Sequence, residues 1–439
     1  MNILLLFCLL FCFSLCSSPI RTSRRSKHGE DCISDPACEE GLFCKINRCM
    51  TFYETKNLKK LGLFEKNICD DLKKKCKPDK ICINHRCVDK STQIETPKIR
   101  SENQNDVHLI FGGGIFLNKK PYESGLKADG SCNYDHLFTH IEKDIKNADL
   151  SIVDQETVFY FDEDKKKSKK VLTLTPKELG DSISKAGFKV VLHATPFAYL
   201  RKEDGIIDTL NFWKTKHPDV HPLGISSSLE ESEKDYFIFR KNNIKIGIIN
   251  FNSFKIKSIP KKNQFMINTI TTKKIEDSVQ KLKEETDFVI VCMNWGGKKS
   301  SSPSKSQIYI AKILASFGVD LIIGNHPNFI QPVSFVQAKN GKRTLVFFSL
   351  GLLIGDNKNI FSTLSALADI VISKDKDKAY ISSYSLIPII NHKDESGEYS
   401  AYKLSEYNEN LGKQVNKKFS LEKIRKMCYQ KIGAFSYCD

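Results

Sequence analysis

Beyond its first residues, this sequence has no apolar stretch of the ~20 residues that a membrane-spanning helix needs, so no later transmembrane anchor is expected. No apolar tail follows Cys438, which argues against a lipid anchor attached through a C-terminal signal. Zinc-finger, RRM, KH and basic-zipper patterns are all missing, so nucleic acid is not an expected partner even though the net charge is +16. There is no Cys-x-x-Cys pair, which disfavours a structural zinc site.

What is present begins at the N-terminus. Ile3 to Leu15 is apolar apart from Ser14 and cysteines. It is short for a bilayer and suits the apolar core of a secretory signal over 1–16, with Ser14 and Cys16 at the −3 and −1 positions of cleavage. The competing reading is an uncleaved anchor. Cys8, Cys12 and Cys16 would leave with such a signal, so of 15 cysteines 12 remain. An even number suits an oxidising compartment, and a secreted or extracellular location is expected.

Residues 32–87 hold an internal repeat: Cys32, Cys38, Cys44 and Cys49, then Cys69, Cys76, Cys82 and Cys87. Apolar content is low here, so the segment needs covalent staples in place of a core. Two disulfides per copy are expected, in any of three connectivities. Cys38-Glu-Glu-Gly-Leu-Phe-Cys44 resembles small cysteine-rich modules of secreted animal signalling proteins, which implies a protein partner. Polar residues over 88–105 read as a linker.

At 439 residues and 40% hydrophobic content the chain exceeds one core and implies more than one module. From Asp106 the pattern alternates strands and helices. Strands are expected at Val107–Phe111, Leu150–Val153, Phe188–Leu192, Phe288–Met293, Val319–Ile323, Thr344–Phe348 and Ala366–Ile372. Helices are expected at Tyr134–Ala148, from a capping box at Thr175 to Ala186, at Asp204–Trp213, from Thr272 to Glu285, and at Ser304–Phe317. Asn242-Asn243 joins Tyr236–Phe239 to Ile244–Phe251 as a hairpin. This is a mixed α/β domain over 106–390. The tail, 391–439, is polar, with a possible helix at Leu421–Gln430 and a possible Cys428–Cys438 clip.

In α/β folds, functional groups gather after the C-terminal ends of strands. The first such loop holds Gly112, Gly113 and Gly114, read as a turn with close backbone approach; Leu117 replaces the third glycine of a dinucleotide loop. Next come Asp154-Gln-Glu156, His193-Ala-Thr-Pro-Phe197, Asn294-Trp-Gly-Gly297, Gly324-Asn-His-Pro-Asn328 and Ser349-Leu-Gly351. The carboxylates Asp154 and Glu156 suit metal binding or proton transfer. His193 is read as a hydrogen-bonded histidine at the core edge, and His217 and His221 as loop residues. Cys292 is read as a buried thiol or a partner of Cys132, and Lys298 and Lys299 as solvated lysines able to meet an anion.

These loops, in this order, resemble the CapA family of capsule and poly-γ-glutamate synthesis. That resemblance implies a metallophosphatase-like α/β fold: packed mixed β-sheets flanked by helices, here preceded by a disulfide-rich module. It also implies a metal site, and most of that site's positions are changed. Gly112-Gly113 stands for the family's Gly-Asp, Thr195-Pro-Phe197 for Asn-Asn-His, Asn294-Trp-Gly296 for His-Trp-Gly, and Gly324-Asn-His-Pro-Asn328 for Gly-His-His-Pro-His. Asp154, Glu156 and His326 remain as ligands for at most one weakly bound divalent metal ion. Gly113, Asn294, Asn325 and Asn328 would line the cleft, and Trp295 would pack beneath it. The expectation is a non-catalytic binding protein for an anionic polysaccharide, acidic polymer or surface. The alternative is a reduced metal-dependent hydrolase of phosphoesters or amide-linked acidic polymers.

Overall fold

The computed structural model describes residues 105–160, 175–338, 341, 343–356, 362–376, 378–415, 420–432, 436 and 438, with 42–45, 48–51, 80–83 and 86–89. The chain divides into two units, 1–92 and 93–439.

In the first unit, Leu42–Lys45 pairs antiparallel with Arg48–Thr51, and Lys80–Ile83 with Arg86–Asp89. Cys44 stands opposite Cys49 and Cys82 opposite Cys87, so the sequence repeat is also a backbone repeat. The signal segment, the disulfides expected within the repeat, and residues 90–104 of the linker expected over 88–105 lie outside the described residues, while Val88 and Asp89 end the strand Arg86–Asp89.

The strands that build the second unit are β1 Val107–Ile115, β2 Leu150–Gln155, β3 Val190–Leu192, β4 His221–Leu223, β5 Phe237–Lys241, β6 Ile244–Asn252, β7 Phe288–Asn294, β8 Leu321–Asn325, β9 Ile330–Gln337, β10 Arg343–Leu350, β11 Leu352–Ile354, β12 Leu364–Asp375, β13 Lys378–Lys393 and β14 Tyr399–Lys403. Its longer helices are α1 Glu178–Ala186, α2 Lys202–Lys216, α3 Thr272–Glu285, α4 Lys305–Ser316 and α5 Leu421–Ile432.

One sheet runs β4-β3-β2-β1-β12-β13-β14, with β11 also paired to β1. The other runs β5-β6-β7-β8-β10-β9. The period of two along each strand explains why they stack. Ile246 and Ile248 of β6, Ile290 and Cys292 of β7, and Leu345 and Phe347 of β10 join one buried cluster with Leu109 and Phe111 of β1 and Ile152 of β2. The alternate residues face outward. Val289, Val291 and Met293 meet Ile275, Val279 and Leu282 of α3, and Ile310 and Leu314 of α4. On the other sheet Ile110, Val153 and Val191 meet Leu179 and Ile183 of α1. The result is a four-layer α/β sandwich, the mixed α/β class read from the sequence.

Several local expectations change. Leu137, Ile141 and Ile145 are buried as their spacing implies, but the segment is a 3-10 turn, Asp135–Leu137, followed by a short helix, Glu142–Lys146. Thr175 caps no helix. It lies in a two-residue strand against Phe159–Tyr160 and hydrogen-bonds Thr157, so α1 starts at Glu178 without a side-chain cap. The triple glycine is not a turn either: β1 continues through it, with a register shift against β2 between Phe111 and Gly114. His217 ends α2 and His221 begins β4. The polar segment after His392 supplies β14, which pairs with β13, and α5, whose Leu421, Ile424 and Met427 enter the cluster between the sheets. Cys428 and Cys438 are disulfide-bonded, as the clip reading expects.

Candidate functional site

Parallel pairing brings the strand ends together. Asn252, Asn294 and Asn325 are register partners at the ends of β6, β7 and β8. Gly114 and Asp154 are partners at the ends of β1 and β2. One hydrogen bond, from Asn294 Nδ2 to Asp154 Oδ2 at 3.2 Å, ties the end of one sheet to the end of the other. The sequence-predicted residues Asp154, Glu156, Asn294 and Asn325 all belong to this rim.

Gly113 sits where backbones meet. A Cβ there would lie 2.5 Å from the Gly351 carbonyl oxygen, and Gly114 N donates to that same oxygen at 3.0 Å. Glycine thus serves close approach of two backbone segments, which is the part of the reading its position suggested that holds. Trp295 is fully buried, and its indole N–H donates to the Phe348 carbonyl at 2.8 Å, so it supports the cleft from beneath.

Asp154 and Glu156 are both buried, at 2% and 0% exposure. Asp154 Oδ1 and Glu156 Oε2 have no hydrogen-bond partner among the described residues. Burial raises the Asp154 pKa well above the usual carboxylate range; the neighbouring Glu156 raises it further, and the Asn294 bond opposes. Burial lifts Glu156 to about 7, against the pull of the Lys298 ammonium. Desolvation thus favours the protonated form of both carboxyls over the charged one.

His326 lies at φ +95°, a costly conformation for a residue with a Cβ, and Asn328 at φ +63°. The loop is held in this shape by Lys299 N donating to the Pro327 carbonyl at 2.7 Å. With its amide oriented to donate, Asn328 Nδ2 bonds the His326 carbonyl (2.9 Å) and Glu156 Oε1 (3.3 Å). Burial and the Lys298 charge push His326 down to about 3, so its ring is neutral, and Nδ1 has no partner among the described residues. Phe197 and Phe254 lie against that ring, at centroid distances of 6.2 and 4.4 Å.

The fold class that the sequence resembles implies a metal at such strand ends. Asp154, Glu156 and His326 do reach one cleft. Yet among the described residues no three His, Cys, Asp or Glu side chains form a group able to hold a metal ion. Two carboxyls and one imidazole are too few donors for two ions bridged by a water. These residues do not fit a two-metal hydrolytic centre.

The other candidates separate from the cleft. Trp213 Nε1 donates to His193 Nε2 at 3.1 Å, and burial pushes His193 down to about 3, so it is a neutral core histidine. Cys292 is a buried thiol, not bonded to Cys132, with its pKa raised by burial. Sequence reasoning missed Phe116, Phe254 and Asn252 at the rim. Asn252 was findable, since it ends a strand parallel to the one ending at Asn294.

A helix-covered β-sandwich with a polar cleft at its parallel strand ends is the class that fold and site define. A protein family described as Bacterial capsule synthesis protein PGA_cap matches residues 108–357, more than half of the chain, and the chain belongs to that family. The PGA biosynthesis protein CapA of Bacillus subtilis (strain 168) is 24% identical over 266 residues, covering 60% of this chain and 67% of that protein. The Capsule biosynthesis protein CapA of Bacillus anthracis is 28% identical over 231 residues, 51% of this chain and 54% of that protein. The match thus spans about half to two thirds of each relative. Among solved structures, a 5'-nucleotidase precursor from Thermus thermophilus aligns at 12% identity with a TM-score of 0.42, over 65% of this chain and 54% of that one. The calcineurin-like phosphoesterase YfkN from Bacillus subtilis aligns at 13% identity with a TM-score of 0.38, over 71% and 96%.

Proposed function

We propose that this is a secreted protein whose CapA-like unit binds without hydrolysing, and that its partner is an anionic polymer or surface. The observation behind the first part is the cleft itself: two buried carboxyls and one imidazole, with asparagines where the family has imidazoles. A two-metal site with a bridging water needs more anionic or imidazole donors than Asp154, Glu156 and His326 supply. The net charge of +16 supports the second part, because it favours polyanions at long range. Among the described residues no helix is long and apolar enough to cross a membrane. Retention on immobilised poly-γ-glutamate at about 0.15 M salt, falling steeply at about 0.5 M, is the expected result. Passage indistinguishable from that of a neutral protein of equal size would refute the polyanion reading.

One observation favours a second reading. Asp154 Oδ1, Glu156 Oε2, Asn294 Oδ1, Asn325 Oδ1 and His326 Nδ1 are all buried acceptors without a partner among the described residues, and a single cation would satisfy some of them. A one-ion hydrolase would show metal-dependent turnover that Glu156→Ala and His326→Ala both abolish. Turnover that both variants keep, or none in the wild type, removes this reading.

A further inference from the structure

Lys298 stands at the mouth of the cleft. Its backbone follows Gly296, at φ +81°, and Gly297, around which a Cβ would meet nothing within 4 Å. The residue is exposed, yet its Nζ lies 4.3 Å from the Phe197 ring centroid and 4.9 Å from that of Phe116. The two rings are 5.3 Å apart. Ring faces are electron-rich and attract cations, more strongly where water is displaced. The same ammonium acts on Glu156 through space, although Glu156 Oε2 has no hydrogen-bond partner among the described residues. Two aromatic faces beside a buried carboxyl group is receptor chemistry for an organic ammonium ion. A bare divalent ion demands oxygen donors at short range, which ring faces do not supply.

We propose that the cleft mouth is a binding site for organic ammonium groups, filled in this structure by the chain's own Lys298, and that rotating the exposed Lys298 side chain off the rings admits an external one. The site takes a cation and not an anion, so it goes beyond the reading above. Lys298 is then a removable internal ligand, and the occupant that displaces it is a primary or quaternary ammonium carried by a partner or a small molecule.

The test is calorimetric titration of the full chain with cadaverine. Lys298→Ala is expected to bind at least tenfold tighter than wild type, since the plug is gone while the rings remain. Adding Phe197→Leu, or separately Phe116→Leu, is expected to cancel that gain, with melting temperatures checked to confirm folding. Equal affinity in wild type and Lys298→Ala overturns the proposal, as does a gain that survives both ring substitutions. Stabilisation of Lys298→Ala by Mn²⁺ and not by cadaverine also overturns it and assigns the cleft to a metal. None of these outcomes bears on poly-γ-glutamate retention, so the two readings fail separately.

Discussion

Glu156 makes the cleft sensitive to pH. Its folded pKa of about 7 lies above the ordinary 4.5, so the folded state binds more protons than the unfolded chain between those values. This group's contribution is therefore fully present below about pH 4.5 and is lost as pH rises through 7. Glu156→Gln removes that dependence. Urea denaturation at about pH 5 and about pH 8 should show wild type losing a few kcal/mol more than the variant, at ~1.4 kcal/mol per pH unit. Equal losses would mean that Glu156 is not desolvated. Gly113→Ala drives a Cβ into the Gly351 carbonyl, so a loss of about 1–3 kcal/mol in the same assay is expected. At this scale strand-end position and chemistry mark Asp154 and Glu156, and the family resemblance marks Asn294, Asn325 and His326; the parallel register puts Asn294 and Asn325 side by side. The aromatic mouth was not legible in the sequence. Phe116 and Phe254 read as ordinary apolar residues until the fold brings them beside Phe197 and His326.

Elements whose signals are local were read closely. α3 spans Thr272–Glu285 as its pattern implies. α4 begins on Ser304, whose hydroxyl and Gln307 form a reciprocal capping box. Ser304→Ala should cost about 1 kcal/mol, measurable as a lower urea midpoint with unchanged slope. The β5–β6 hairpin turns through Asn242 and Asn243 at φ +51° and +58°, the geometry that asparagine tolerates. Elements defined by tertiary pairing were missed. β9, which the pattern left unassigned, contains Pro332 and is an edge strand, where a missing N–H costs little. Pro388 in β13 faces β12 on one side, while β14 pairs only from Ile389 onward, so no central ladder is broken. Helix spacing over 134–148 failed for a related reason: burial of Leu137, Ile141 and Ile145 was correct, yet it is met by a broken backbone.

For the whole molecule, the segment beyond residue 392 is structural. It supplies a strand to one sheet, and α5 adds Leu421, Ile424 and Met427 to the buried cluster that the two sheets share. The Cys428–Cys438 bond closes a loop of sequence separation 10 beneath that helix. Cys438→Ser should lower stability by about 2–3 kcal/mol, measurable as a lower urea midpoint for residues 93–439 under non-reducing conditions.

The position of β1 has a consequence for how the chain is made. It is the first strand of its sheet to leave the ribosome, yet it lies between β2 and β12, and the bond from His108 to Asp369 spans 261 residues. Until β12 is synthesised, one side of β1 has unpaired amides and carbonyls, an open edge on which nascent chains can add to one another. Biogenesis therefore includes a long vulnerable interval, and a chain that stops short of Leu364 is expected to be insoluble even though its cleft residues are all present.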